Sequence, residues 1–161
     1  MKTCMLTGSF DPFTVGHLDL VKRVTGVFDK VYVAILVNPL KKYTFSVEQR
    51  LGFIHAAVDG YANVSVIAFA GMTYELAKTL QVDYLVRGIR VESDFEYEAD
   101  MAEFNMQEGG VDTICLITNK LNDVSSSEVR RRLQAKESLV GYVPDQCIPL
   151  VENTYWCEIN G

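Results

Sequence analysis

The stretch "KTCMLTGSFDPFTVGHLDLVKRV", residues 2–24, joins a short β-rich run to an amphipathic one through a loop that carries both glycines and the histidine. "KTCMLT" predicts a strand, and "LDLVKRV" lies in a helix predicted from about Gly16 to Phe28. Gly8 lets the backbone approach a ligand closely, and Pro12 presets the turn after Asp11. A helix start exposes free N–H groups and a partial positive charge, so the loop is a candidate anion site. His17, at that positive end, has a reason to stay neutral until an anion arrives.

The same alternation runs outward along the chain. "KVYVAILV" precedes a helix near Ser46 to Val58, and "NVSVIAF" precedes "TYELAKTL". "DYLVRG" precedes a helical run from about Asp94 to Gln107, and "DTICLIT" precedes one near Ser125 to Ala135. Five βα units predict an α/β fold with a doubly wound, five-stranded parallel sheet. With no linker, repeat or low-complexity segment, residues 1–161 form a single domain, closed by a C-terminal helix and tail at about 144–161.

Composition narrows the class. The 161 residues carry a formal net charge of −6, which argues against broad nucleic-acid binding. No basic segment leads into an apolar h-region, and no run of about 18 apolar residues could span a membrane, so a cytoplasmic location is expected. Cys4, Cys115, Cys147 and Cys157 make no CxxC pair and no metal-like spacing with His17 or His55. Cys4 and Cys115 lie in apolar strand runs and are expected to pack as small hydrophobes.

In such sheets ligands bind beyond the carboxyl ends of the strands, where strand order reverses. The loops there hold Ser9 and His17, then Lys41 and Lys42, then Arg87 and Arg90, then Ser125, Ser126 and Ser127. An acidic chain that gathers cations and hydroxyls at four such loops points to a polyanionic ligand. Arg87 and Arg90 offer planar forks suited to phosphate oxygens. Ser125 with Glu128 also fits a capping box, and "RRR" at 130–132 fits a solvated helix face. His55 reads as a packed or surface residue. "DFEYEADMAEFN", residues 94–105, reads as an amphipathic helix sending Phe95, Met101, Ala102 and Phe104 to the core.

Thr14-Val15-Gly16-His17 resembles the T/H-x-G-H signature of nucleotidyltransferases with a Rossmann-like fold. "RGIRVESDFEYEADMAEFN", residues 87–105, resembles the corresponding run of the phosphopantetheine adenylyltransferases. With Lys41-Lys42, "FSVEQR" at 45–50 and "VSSSEVR" at 124–130, the resemblance spans residues 3 to about 145. It implies transfer of an adenylyl group from MgATP to 4'-phosphopantetheine, giving dephospho-CoA and pyrophosphate. By the same resemblance His17 stabilises the transition state, with Ser9, Lys41 and Arg90 completing the catalytic set. Ser9, Lys41, Thr73 and Arg87 hold phosphopantetheine. Ser9, Phe10, His17, Gly88, Ile89, Arg90, Glu98, Leu121, Asn122, Asp123, Val124, Ser125, Ser126 and Ser127 surround ATP. Mg²⁺ rides on the ATP phosphates with no protein side chain as ligand. The family also implies a homohexamer, and dephospho-CoA or CoA as product or feedback ligand.

One stretch departs from the family pattern. Where an aromatic and an apolar residue usually precede the serines, this chain has Leu121-Asn122-Asp123-Val124, so that the Asp123 carboxylate either stands near a polyanion's site or points to solvent and favours the start of the following helix. Two rivals are a cytidylyltransferase for a small phosphorylated alcohol and a non-catalytic nucleotide-binding module. The former typically ends in an R-T-x-G-I-S-T-T run, unlike "NDVSSSEVR"; the intact Ser9, His17, Lys41, Arg87 and Arg90 set speaks against the latter. The chemistry fits the inventory: a phosphate monoester is largely ionised at neutral pH and needs no general base. It needs in-line positioning and charge stabilisation at the α-phosphate.

Overall fold

The computed structural model describes residues 1–118 and 123–160. Five strands, β1 (Thr3–Gly8), β2 (Lys30–Leu36), β3 (Val64–Phe69), β4 (Tyr84–Ile89) and β5 (Asp112–Ile117), alternate with helices. These are α1 (Val15–Thr25), α2 (Val47–Val58), α3 (Thr73–Leu80), α4 (Glu92–Gly109), α5 (Ser126–Ala135) and α6 (Ile148–Asn160). The strands form one parallel sheet in the order β3-β2-β1-β4-β5. The order reverses between β1 and β4, so a crevice opens beyond the ends of those two strands. Gly8 closes β1 and Gly88 lies near the end of β4, which puts the two glycine-bearing loops on opposite lips of that crevice.

Both faces of the inner strands are covered, as parallel pairing through crossover helices requires. Cys4 and Leu6 of β1, with Val31, Val33 and Ile35 of β2, pack into a core shared with α1, α2, α5 and α6. Met5 and Ala34 point the other way and meet Leu76 and Ala77 of α3. Strict alternation of side chains along a strand therefore sorts β1 and β2 between two apolar layers. α2 starts on a capping box: the Gln49 N–H donates to Ser46 Oγ at 3.1 Å, and the Ser46 N–H donates to Gln49 Oε1 at 2.8 Å.

Four expectations from the sequence need correction. The expected C-terminal helix is present, but α6 runs to Asn160 and leaves no tail among the described residues. Pro144 precedes a 3₁₀ turn (Asp145–Cys147), and Pro149 sits in the first turn of α6, where a missing N–H costs nothing. Val151 and Tyr155 then anchor α6 in the main core. Second, β5 is an edge strand, and Cys115 is exposed on it, whereas Cys4 is fully buried. Third, α4 meets the predicted faces only in part: Met101 and Ala102 are half-buried, but Phe95 is 62% exposed and Phe104 lies at the surface, while Glu98 and Asn105 are buried. Its inner face covers a cavity of mixed polar and apolar lining.

Fourth, the arginine run is no solvated face. Arg130 Nη1 donates to the Asp11 carbonyl at 2.8 Å, and Arg132 stacks on Tyr142 with 3.8 Å to the ring centroid. Only Arg131 is exposed, paired with Glu128 and Glu137.

Candidate active site

The loop from Ser9 to Thr14 is held by tethers from distant parts of the chain. Asp11 is buried, and its carboxylate accepts the N–H groups of Thr44 and Phe45, both at 2.9 Å. Arg50, 1% exposed, donates from Nη1 to the Ser9 carbonyl at 2.8 Å and from Nε to the Phe45 carbonyl at 3.0 Å. Ser126 Oγ donates to the Pro12 carbonyl at 2.8 Å. The buried guanidinium spends its donors on carbonyls across two loops, with its flat face on Tyr43 at 4.1 Å.

These tethers aim His17. Thr14 is the N-cap of α1, and its hydroxyl accepts the His17 N–H at 3.3 Å. The Thr14 N–H in turn donates to His17 Nδ1 at 3.0 Å, so the histidine fills the role usually taken by Glu or Gln in a capping box. An Nδ1 that accepts a hydrogen bond leaves the ring proton of neutral histidine on Nε2. The ring is packed edge-on against Phe10, with centroids 4.9 Å apart, and beside Phe13 at 5.3 Å. Removal from solvent, followed by the charges of Arg87 and Arg90, holds its pKa down at about 3. Neutrality was expected from the helix end; desolvation and two arginines are the larger causes.

Two cavities meet at the crevice. The first, about 350 Å³, is lined by Phe10, His17, Gly88, Arg90 and the three serines 125–127 among others. The second, about 270 Å³, has Ser9, Leu36, Thr73, Met101 and Asn105 in its wall. Thr7, Gly8, Arg87 and Glu98 line both and form the partition between them. Within that partition Arg87 Nε and Nη2 grip the Glu98 carboxylate, each at 2.9 Å, and Nη1 donates to the Thr7 carbonyl at 2.6 Å. Although burial opposes its charge, the Glu98 contact prevails and raises the Arg87 pKa.

Most of the residues singled out from the sequence converge here. Phe10, His17, Gly88, Arg90, Glu98, Val124 and Ser125–Ser127 border the first chamber, and Ser9, Thr73 and Arg87 border the second. Arg90 Nη1 reaches the Val124 carbonyl at 3.3 Å, which joins the β4 loop to the start of α5. Three residues fall elsewhere. Lys41 is exposed on the loop after β2 and lines neither chamber. Ile89 is buried below the first chamber, where its carbonyl accepts Thr118 N–H at 2.8 Å. Asp123 is exposed and lines neither chamber; Leu121 and Asn122 lie outside the described residues.

The serine cap is half of the predicted box. Ser125 Oγ accepts the Glu128 N–H at 3.1 Å, but the Glu128 carboxylate turns to Arg131 and Arg132. Space at Gly88 is tight: a Cβ there would stand 3.0 Å from Leu20 Cδ1 and 3.5 Å from Thr118 Cγ2, so the Leu20 side chain would have to shift. Among the described residues no three of His, Cys, Asp and Glu converge as a metal site. The two carboxylates in the first chamber are already engaged, Glu98 by Arg87 and Asp94 by the N–H and guanidinium of Arg90. The donor set suits phosphate oxygens.

Comparison with known proteins agrees with this geometry. A family model described as cytidylyltransferase-like matches residues 5–132. Phosphopantetheine adenylyltransferases from Streptococcus pyogenes serotype M5 (strain Manfredo) and serotype M49 (strain NZ131) are each 42% identical over 154 residues. Each alignment covers 94% of this chain and 94% of the relative.

Proposed function

We propose, for a chain that belongs to the cytidylyltransferase-like family and within it to the phosphopantetheine adenylyltransferases, that the first chamber takes ATP and the second takes 4'-phosphopantetheine. The reaction moves the adenylyl group of ATP to the acceptor phosphate, giving dephospho-CoA and pyrophosphate in coenzyme A synthesis. An acceptor oxygen forms a bond to the α-phosphorus while the bond from that phosphorus to the bridging oxygen breaks. Pyrophosphate carries away the electron pair, and no proton need move.

One observation carries the assignment of the chambers. They share a single wall, so a phosphate in one stands next to a phosphate in the other, as an in-line displacement requires. His17 Nε2–H then donates to the α-phosphate as charge builds on it. Arg90 and the N-terminus of α5, with Ser125–Ser127, receive the β- and γ-phosphates. Arg87 meets the acceptor phosphate, with Ser9 and Thr73 beside it. Lys41 completes the acceptor site by folding its loop inward, a motion that its exposed position permits. The arginines and hydroxyls of the first chamber would hold the triphosphate with Mg²⁺ bound to it, and the ion would supply further offset of its charge.

The homohexamer implied by the family is supported by exposed apolar side chains on α4 and β5, among them Phe95, Tyr97, Met106 and Ile117. Dephospho-CoA or CoA fits as a ligand spanning both chambers. A cytoplasmic site agrees with the four free thiols, and no helix among the described residues is long and apolar enough to cross a membrane.

The test supplies MgATP or MgCTP with 4'-phosphopantetheine and measures pyrophosphate. Release with ATP is expected. Release with CTP alone overturns the nucleotide assignment, and release with neither overturns the activity.

A further inference from the structure

The partition between the chambers raises a question of charge. Arg87 is the cation that lines both chambers, yet its fork is already spent on a carboxylate. Glu98 is 7% exposed, and among the described residues its carboxylate has Arg87 as its one ion-pair partner. Such a pair is not a cheap way to stabilise a fold, because both groups lose hydration to make it. A lone Arg87 would attract phosphate more strongly than a neutralised one.

The hydrogen count shows what the pair retains. A guanidinium has five N–H donors in a rigid plane. Glu98 takes the Nε donor and one on Nη2, and the Thr7 carbonyl takes one on Nη1. One donor remains on Nη2, and the second on Nη1 is held only weakly, by Thr7 Oγ1 at 3.5 Å. The plane is fixed from two sides, by β1 through Thr7 and by α4 through Glu98, while its net charge is cancelled.

We propose that Glu98 is a positioning residue for the adenylyl transfer: it pins the Arg87 fork in the partition and lowers the affinity for the acceptor phosphate in exchange for alignment. Arg87 then holds the attacking phosphate by the direction of its remaining donors more than by charge. A phosphate bound by charge alone could settle off the line of attack, and small misplacements reduce turnover steeply. This role rests on the proposed assignment of the second chamber to phosphopantetheine.

Two variants separate direction from charge. Glu98→Gln keeps the shape but removes the negative charge and one of the two acceptors. Its dissociation constant for 4'-phosphopantetheine should fall about three- to tenfold, while kcat falls about ten- to a hundredfold. Glu98→Asp keeps the charge but is one methylene too short to hold both nitrogens. It should lose turnover with no gain in affinity. Circular dichroism and thermal melts establish that both variants fold.

Calorimetric titration with inorganic phosphate gives a second measurement that needs no turnover. Glu98→Gln should bind phosphate more tightly than the unaltered chain, and Glu98→Asp should not. Unchanged kcat in Glu98→Gln, weaker binding of phosphopantetheine, or an effect confined to the KM for ATP each overturns the proposal. If the unaltered chain releases no pyrophosphate, the functional assignment fails, and the phosphate titrations still decide whether Glu98 restrains Arg87.

Discussion

The Thr14 N–H donates to His17 Nδ1 at 3.0 Å, and this one bond settles the tautomer of the ring. With Nδ1 as acceptor, the proton of the neutral imidazole sits on Nε2, and His17 is among the residues lining the first chamber. The residue that caps the helix is thereby also an aimed donor.

His17→Ala should therefore cost turnover far more than affinity. Loss of one donor to developing charge typically costs about 2.7–4 kcal/mol, roughly 10²- to 10³-fold in kcat. Steady-state kinetics at saturating ATP and acceptor measure it. Near-normal kcat with raised KM values would make His17 a binding residue.

The low His17 pKa, about 3, fixes two pH dependences. No histidine limb from this residue should cross the rate profile between pH 5 and 8; an acidic limb near 6 should follow the acceptor phosphate instead. Stability behaves differently. In the unfolded chain the ring takes up its proton near 6.5, and in the folded chain near 3, so between these values the unfolded state holds the extra proton. Stability falls as pH drops through that window, by up to about 1.4 kcal/mol per pH unit, and is unaffected above it. Urea titrations of the unaltered chain and His17→Gln at pH 7.5 and 5 should show the difference shrinking in the variant.

Arg50→Lys should be damaging even though it keeps the charge. A single ammonium on a flexible stem cannot span the Ser9 and Phe45 carbonyls as the guanidinium does. A loss of about 2 kcal/mol in unfolding free energy is expected, with a fall in kcat/KM as the loop loosens. Equal stability in denaturant would show that the tether is dispensable.

Asp123→Asn should leave ATP binding within about twofold of its starting value, even at low ionic strength where surface charges are least screened. The carboxylate is exposed and outside both chambers. A clear tightening of ATP in calorimetry would bring the residue back to the triphosphate.

The βα order and the cations at the strand ends were legible because periodicity and loop position are properties of local sequence. Phosphate-facing types gathered at Ser9, His17, Arg87, Arg90 and Ser125–Ser127 could be recognised without knowing what touched what. The tethers could not. Arg50 reads as one more charge on a helix, and only the fold shows it buried against carbonyls of two loops. Asp11 reads as half of a turn, while its carboxylate secures the chain 33 residues later at Thr44. The faces of α4 were misread for a related reason. Amphipathicity identifies an apolar side, but it assumes that the inner side is the apolar one, and here the helix roofs a chamber that needs Glu98 and Asn105.

The loop that aims His17 is fastened from Arg50, Ser126, Arg130 and the Tyr142 carbonyl, which accepts the Val15 N–H at 2.9 Å. On the ribosome a chain emerges N-terminus first, so residues 9–17 are made well before Tyr142, the last of their fastenings. The strands can pair while translation continues, but the loop that carries His17 lacks one of its ties until residue 142 has been made. A chain cut short before Tyr142 would hold all five strands and every residue of the T-x-G-H motif, and still lack one tie that fixes the motif's geometry.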